Sequence, residues 1–404
     1  MKIVSLLFFL YFNWIVLHAK TIYISNKGND FNSGTTMSYP WKTMEKLQNE
    51  ANRGFITAGD SILFNCGEIY SGKIRWMDIW GMNCLGGTKL KPIIFSSYGK
   101  GVKPLFIYPK DEDSSPENRI VFHFAGVDNI IIDGLQFNDI YNSGNKIIPG
   151  NCGIPIYLGA MNEATCNNCV IKNVNISKFG MGIVIIGDYN RIMKCRMSDF
   201  VNLKSTPSIN HENKHDDYGA NAITITGNYN TIEYNIISGA WAESLDYGWN
   251  GGAFEFFNSS SFNKISNNTV TDCAGLAEFG GLNKNQFSKR NIFEYNIILN
   301  CGSMIWSNIS GIYANDISEI YFNHNLVTEN ESSRFSGLKT GIGIISNSIK
   351  ELIIPEKIMF THNGQKKINY VYFIRNNRFK IKTGVTILSY DDKSSLAKYN
   401  IIEN

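Results

Sequence analysis

Residues Trp249 to Gly281 read WNGGAFEFFNSSSFNKISNNTVTDCAGLAEFGG, and two apolar runs inside the stretch each carry one acid at the same place. The first is Ala253-Phe254-Glu255-Phe256-Phe257 and the second is Leu276-Ala277-Glu278-Phe279-Gly280. Between them, Phe262 to Val270 is a further strand-like piece. Glu255 and Glu278 lie 23 positions apart, a length that suits one turn of a β-solenoid. Adjacent turns would put the two acids on neighbouring parallel strands, about 4.7–4.9 Å apart. Like charges stacked on a sheet destabilise it. They persist more readily where a cation binds or one acid stays protonated. The pair is therefore read as a chemical site.

Outward from this stretch the same pattern recurs. An apolar residue followed three positions later by a small polar one appears as Ile130/Asp133, Val170/Asn173, Ile192/Cys195, Ile232/Asn235, Ile265/Asn268, Phe293/Asn296 and Phe322/Asn325. The steps run from 22 to 40 residues, so turns longer than the minimum must loop out. Asn suits the bends because it tolerates left-handed backbone, and stacked Asn side chains can form a ladder. The runs are rich in Ile, Val, Thr and Phe and broken by Gly or Asn, which disfavours a helical repeat. Aligned on their centres, successive strands send Val184, Thr224, Glu255, Glu278 and Trp306 outward in one column, with their flanking residues inward.

Two long insertions enter just before this column. Residues 202–221 hold His211, Lys214, His215, Asp216, Asp217 and Tyr218, and residues 240–252 hold Trp241, Glu243, Asp246, Tyr247, Trp249 and Asn250. Long loops on a rigid scaffold tend to carry function. Asp217 and Asp246 are candidates for a third acid, and His215 and Tyr218 for proton transfer. Trp306, Trp249, Asn250, Thr224 and Tyr247 are candidates to hold a sugar, by ring stacking or hydrogen bonding. His211-x3-His215-Asp216 is a weak metal motif on a loop, and no metal ligands are assigned.

Composition sets the outer bounds. The 404 residues are 43% hydrophobic and 13% aromatic, enough for a large core. A net charge of +3 gives no case for nucleic acid or an anionic membrane. Residues 1–19 have a positive start at Lys2, an apolar run from Ile3 to Val16 and a small residue at Ala19, which fits a secretory signal peptide. No later stretch is long and apolar enough to span a bilayer, so an exported chain is expected, secreted, periplasmic or held at the cell surface. Eight scattered cysteines permit disulfides but suggest buried positions in the turns.

The opening of the chain has a strand at Thr21 to Ser25, helical spacing of Met44, Leu47 and Ala51 within Trp41 to Asn52, and a strand at Ser61 to Phe64. Such a helix can cap the open end of a solenoid. Tyr23-Ile24-Ser25, Gly28-Asn29-Asp30, Ser33-Gly34-Thr35, Pro40-Trp41-Lys42-Thr43 and Gly59-Asp60-Ser61-Ile62 resemble the opening module of exported right-handed parallel β-helix proteins of the pectate-lyase-like superfamily. Gly87-Thr88, Lys91-Pro92-Ile93-Ile94-Phe95, Tyr98-Gly99 and Lys103-Pro104 are similar to the segment that follows it. The resemblance spans residues 21–137 and implies architecture rather than a set of catalytic residues.

The expectation is an all-β chain: one right-handed parallel β-helix over residues 20–404. Residues 20–64 would form an N-terminal cap with a short helix, and residues from about 340 to 404 the last turns and C-terminal cap. Leu352 to Phe360 and Tyr370 to Thr386 would supply those last turns. The favoured function is cleavage of a polysaccharide or oligosaccharide by a monomeric glycoside hydrolase using Glu255 and Glu278, with no cofactor. The first alternative is a polysaccharide lyase acting on a uronic acid, with calcium and a base such as His215, Lys214 or Tyr218. The second is a non-catalytic glycan-binding surface protein.

Overall fold

The computed structural model describes residues 19–109, 118–140, 153–204, 217–245, 248–281, 286–308, 316–328, 343–345, 357–362, 365–370, 372–380 and 401–403. The expectations placed on residues 1–18, His215, Asp246 and Tyr247 lie outside the described residues.

Each turn of the chain contributes three short strands. In the turn that carries Glu255 they are Gly252–Phe257, Lys264–Ser266 and Thr269–Thr271. Every one pairs in parallel with its counterpart one turn earlier and one turn later. Among the described residues the strands gather into three long walls of eleven, nine and eleven strands, all parallel. This is a parallel β-helix, and it makes the acid-bearing wall one face of a coil. The inward positions flanking the outward column, such as Ile185, Ile225, Phe256 and Phe279, are fully buried. Phe256 and Phe279 stack directly behind the two acids, with ring centroids 4.5 Å apart and planes within 16°.

The bends are built from two residues with separate tasks. Tyr234, Asn267, Tyr295, His324 and Asn376 have φ of 55–57°, the left-handed region. The next residue in each case is Asn235, Asn268, Asn296, Asn325 or Asn377, and all five are buried. Asn235 Nδ2 donates to Asn268 Oδ1 at 2.9 Å, Asn268 to Asn296, Asn296 to Asn325 and Asn325 to Asn377 at 3.0 Å each. The backbone N–H groups of Asn235, Asn268, Asn296 and Asn325 donate to the same oxygens. A second ladder joins Asn230, Asn263 and Asn291 at another corner. The ladder expected from sequence is present, but its asparagines are not the left-handed residues. Their role is to satisfy backbone groups that a buried bend would otherwise orphan.

The repeat needs one correction. Ile171 pairs with Ile132 and with Ile192. The first two members of the series are therefore Ile132/Leu135 and Ile171/Val174, not Ile130/Asp133 and Val170/Asn173. Leu135 and Val174 occupy the ladder column as apolar residues, so the polar signal was absent from those turns. Cys195 marks the changeover, its N–H donating to Asn235 Oδ1 at 2.9 Å. The seven described cysteines are free, and all but Cys66 are buried.

At the N-terminal end the helix Met44–Asn52 buries Met44, Leu47 and Ala51. It starts later than Trp41, because Thr43 is the cap that accepts from Lys46 N–H, and Trp41 instead bridges to Ile24. Asp30 accepts from the N–H groups of Lys42 and Thr43 at 2.8 and 3.0 Å and from Thr43 Oγ1 at 2.8 Å. Burial would raise this carboxyl, but the donated bonds outweigh it and hold it below its usual range. At the far end, Tyr372–Arg375 and Arg378–Lys380 extend two walls. Lys357–His362 does not form a turn of the coil. It pairs antiparallel with Gln365–Tyr370 as a hairpin.

Candidate active site

One outward column runs along the nine-stranded wall. Its register is Arg75, His123, Tyr157, Val184, Thr224, Glu255, Glu278 and Trp306. Glu255 and Glu278 are thus direct neighbours on adjacent parallel strands, and both are half-buried. Glu278 is followed by the half-buried Trp306.

The strands of this wall do not alternate strictly. Ala222 and Ile223 are both fully buried, as are Ala253 and Phe254, so two consecutive side chains face the core. The break returns Asn221 to the outer face beside Thr224. Asn221 Nδ2 donates to Glu255 Oε2 at 2.8 Å, and Thr224 Oγ1 donates to the same oxygen at 2.9 Å. Burial raises the Glu255 carboxyl above its usual range, and these two bonds oppose the shift without cancelling it. Thr224 was expected to touch substrate, yet it is buried and its hydroxyl is spent on Glu255. Asn221 was missed, because the sequence reading placed it in the insertion 202–221, whereas it is the first residue of the strand Asn221–Thr226.

The N-terminal half of the column is of another kind. Val184 packs with Ile120, Ile154 and Ile186, and Tyr157 lies against them. His123 is buried beside Tyr157, and its Nε2 lies 2.8 Å from the Gly159 carbonyl oxygen. Burial pulls its pKa down to about 4, so it is neutral near pH 7. The carboxylates of the column are Glu255 and Glu278, on two adjacent turns.

Within each insertion two short described strands pair antiparallel. Asn202–Lys204 pairs antiparallel with Tyr218–Gly219, and Ala242–Ser244 with Gly248–Asn250. Asn202 Nδ2 ties the first to the second by donating to the Glu243 carbonyl at 2.6 Å. Asp217 is buried and accepts from Ser244 Oγ and Leu245 N–H, each at 2.8 Å, so it fastens one insertion to the other. Tyr218 packs on Val201 and Leu203. Trp249 stands edge-on to Trp241, with centroids 5.3 Å apart. Asn250 Oδ1 accepts from Gly251 N–H, while its buried Nδ2 has no hydrogen-bond partner among the described residues. The column and Asn221 therefore converge on Glu255, whereas Asp217 and Tyr218 are engaged within the insertions.

Among the described residues no three His, Cys, Asp or Glu side chains converge to hold a metal ion. Calcium takes six to eight oxygens, more than Glu255 and Glu278 supply by themselves. No helix among the described residues is long and apolar enough to cross a membrane.

A coil of three long parallel walls defines the molecule as a right-handed parallel β-helix protein. A tailspike protein variant of E. coli bacteriophage HK620, solved in complex with a pentasaccharide, is similar with a TM-score of 0.53 and 13% identity, over 90% of this chain and 58% of that one. Pectate lyase Pel9A is similar with a TM-score of 0.50 and 13% identity, over 81% of this chain and 77% of its own. The GH136 lacto-N-biosidase of Eubacterium ramulus gives a TM-score of 0.46 and 16% identity, over 90% and 68% of the two chains. The first two likenesses establish the fold. No family model and no curated protein sequence matches the chain.

Proposed function

We propose that this protein is an exported glycoside hydrolase that cleaves a polysaccharide on the outer face of the nine-stranded wall. The observation that carries the reading is the pairing of Glu255 with Glu278 in adjacent parallel strands. Neighbouring strands lie about 4.8 Å apart, a backbone spacing from which two side chains of one column can reach the roughly 5–5.5 Å between the carboxyl groups of retaining glycosidases. The raised pKa of Glu255 fits an acid that keeps its proton near neutral pH. Trp306 and Asn250 support a sugar site. The first is an aromatic next to Glu278 in the column, and the second sits at the end of the insertion strand Gly248–Asn250 that leads into the Glu255 strand. Similar coils include a tailspike variant solved with a pentasaccharide and a pectate lyase. Export rests on the signal-like residues 1–19.

The test is a screen of polysaccharides with the wild type beside Glu255→Gln and Glu278→Gln. New reducing ends from the wild type alone are expected. Full turnover by both variants would refute the acid pair. Ultraviolet absorbance of an unsaturated product, lost with a chelator, would replace the hydrolase by a calcium-dependent lyase. Binding without any product would leave a glycan-binding surface protein.

A further inference from the structure

We infer that Glu255 is the proton donor of the pair, that it delivers its proton from Oε1, and that Asn221 and Thr224 are its positioning residues. The inference rests on the hydrolase reading above and assigns the roles within it. Asn221 Nδ2 and Thr224 Oγ1 both donate to Oε2. A carboxylate oxygen has about two lone-pair directions, so Oε2 has little capacity left for a proton. Among the described residues both hydrogen bonds to the carboxyl end on Oε2 and none on Oε1, and the residue is half-buried rather than fully enclosed. The proton therefore resides on Oε1, and the two bonds on the opposite edge fix the plane of the carboxyl group.

The neighbours divide in the same sense. The strands packed against Gly252–Phe257 are Asn221–Thr226 and Gly275–Gly280. The first presents neutral donors, and the second presents Glu278, the titratable group that faces Glu255 among the described residues. In the step that follows, the glycosidic oxygen takes the proton from Oε1 as its bond to the anomeric carbon breaks, and it keeps the electron pair. The Glu278 carboxylate forms the new bond to that carbon. Water then displaces Glu278, and the proton that water loses returns to Glu255.

The donors also tune the acid. Burial alone would hold the proton too tightly, and each donated bond favours the ionised form. Loss of either bond therefore raises the midpoint further. The experiment follows the Glu255 carboxyl carbon by NMR in the full chain labelled with 13C-glutamate, its signal identified by its loss in Glu255→Gln. Parent, Asn221→Ala, Thr224→Val and Thr224→Ser are compared, with pH–rate profiles on the polysaccharide found in the screen. Thermal melts establish that each variant is folded. Asn221→Ala and Thr224→Val are expected to raise the midpoint by about one pH unit, the scale of a hydrogen bond to a charged group. The alkaline limb of the rate profile should move with it, and Thr224→Ser should restore the parental values. A limb that stays in place in both variants while the parent cleaves glycan overturns the assigned roles alone. A parent that cleaves no glycan overturns the hydrolase reading and these roles together.

Discussion

Glu255 places function and stability in opposition. Its carboxyl is raised in the folded chain, so the folded state binds its proton more tightly than the unfolded state does. Its contribution to stability is full below the unfolded pKa and is lost as pH rises through the folded one. Glu255→Gln keeps an oxygen to accept from Asn221 and Thr224 but removes the charge. The variant should melt higher than the wild type at pH 7, with the gap closing in acid, as scanning calorimetry across pH would record. The same substitution should lower turnover by about 10²–10⁴-fold, the usual contribution of a positioned acid. For the adjacent-strand geometry, NMR of the first-formed product should show retention of anomeric configuration. The acids, their column and their spacing were legible in the sequence, because a period of two and a turn of 23 residues are both visible in letters. Asn221 was not, because it ends the insertion read over 202–221 and opens the strand Asn221–Thr226. The engagement of Asp217 with Ser244 and Leu245 was equally hidden. It joins two insertions whose relative placement no local pattern specifies.

At the scale of the element, the asparagine ladders outweigh the ion pairs on the outside of the coil. Asn268 accepts from the backbone and side chain of Asn235 and donates to the Ile232 carbonyl and to Asn296. Asn268→Ala would leave several buried groups without partners, at about 1–3 kcal/mol each. A loss of at least 3 kcal/mol is expected by chemical denaturation. Lys264 and Glu294 pair at 2.7 Å on a more exposed surface. Glu294→Gln should cost less than about 1 kcal/mol. The contrast was partly readable. The recurrence of Asn marked the bends, but the left-handed residue beside it varies among Tyr, His and Asn and carries no signature. For the same reason the two earliest turns were misaligned, since Leu135 and Val174 replace the polar member there.

For the molecule as a whole, the ends matter most, because a coil of parallel strands exposes backbone and core wherever it stops. The helix Met44–Asn52 covers the first turn with Met44, Leu47 and Ala51. Leu47→Asp should uncover that turn and put a charge against it. Self-association or aggregation is expected by size-exclusion chromatography with light scattering. This cap was legible because helical spacing stands out against strand-like surroundings. The hairpin Lys357–His362 with Gln365–Tyr370 was not, since strand-like composition cannot distinguish a partner one turn away from a partner next in sequence.

The pairing of equivalent positions from turn to turn has a final consequence. Peptide hydrogen bonds, not side chains, set the pitch of the coil, so any two residues at the same place on consecutive turns inherit one fixed gap. A chain built this way holds a ready-made calliper of sugar-chemistry width at every step along its length. A new pair of acids needs only two substitutions in one column, and the scaffold supplies the measurement.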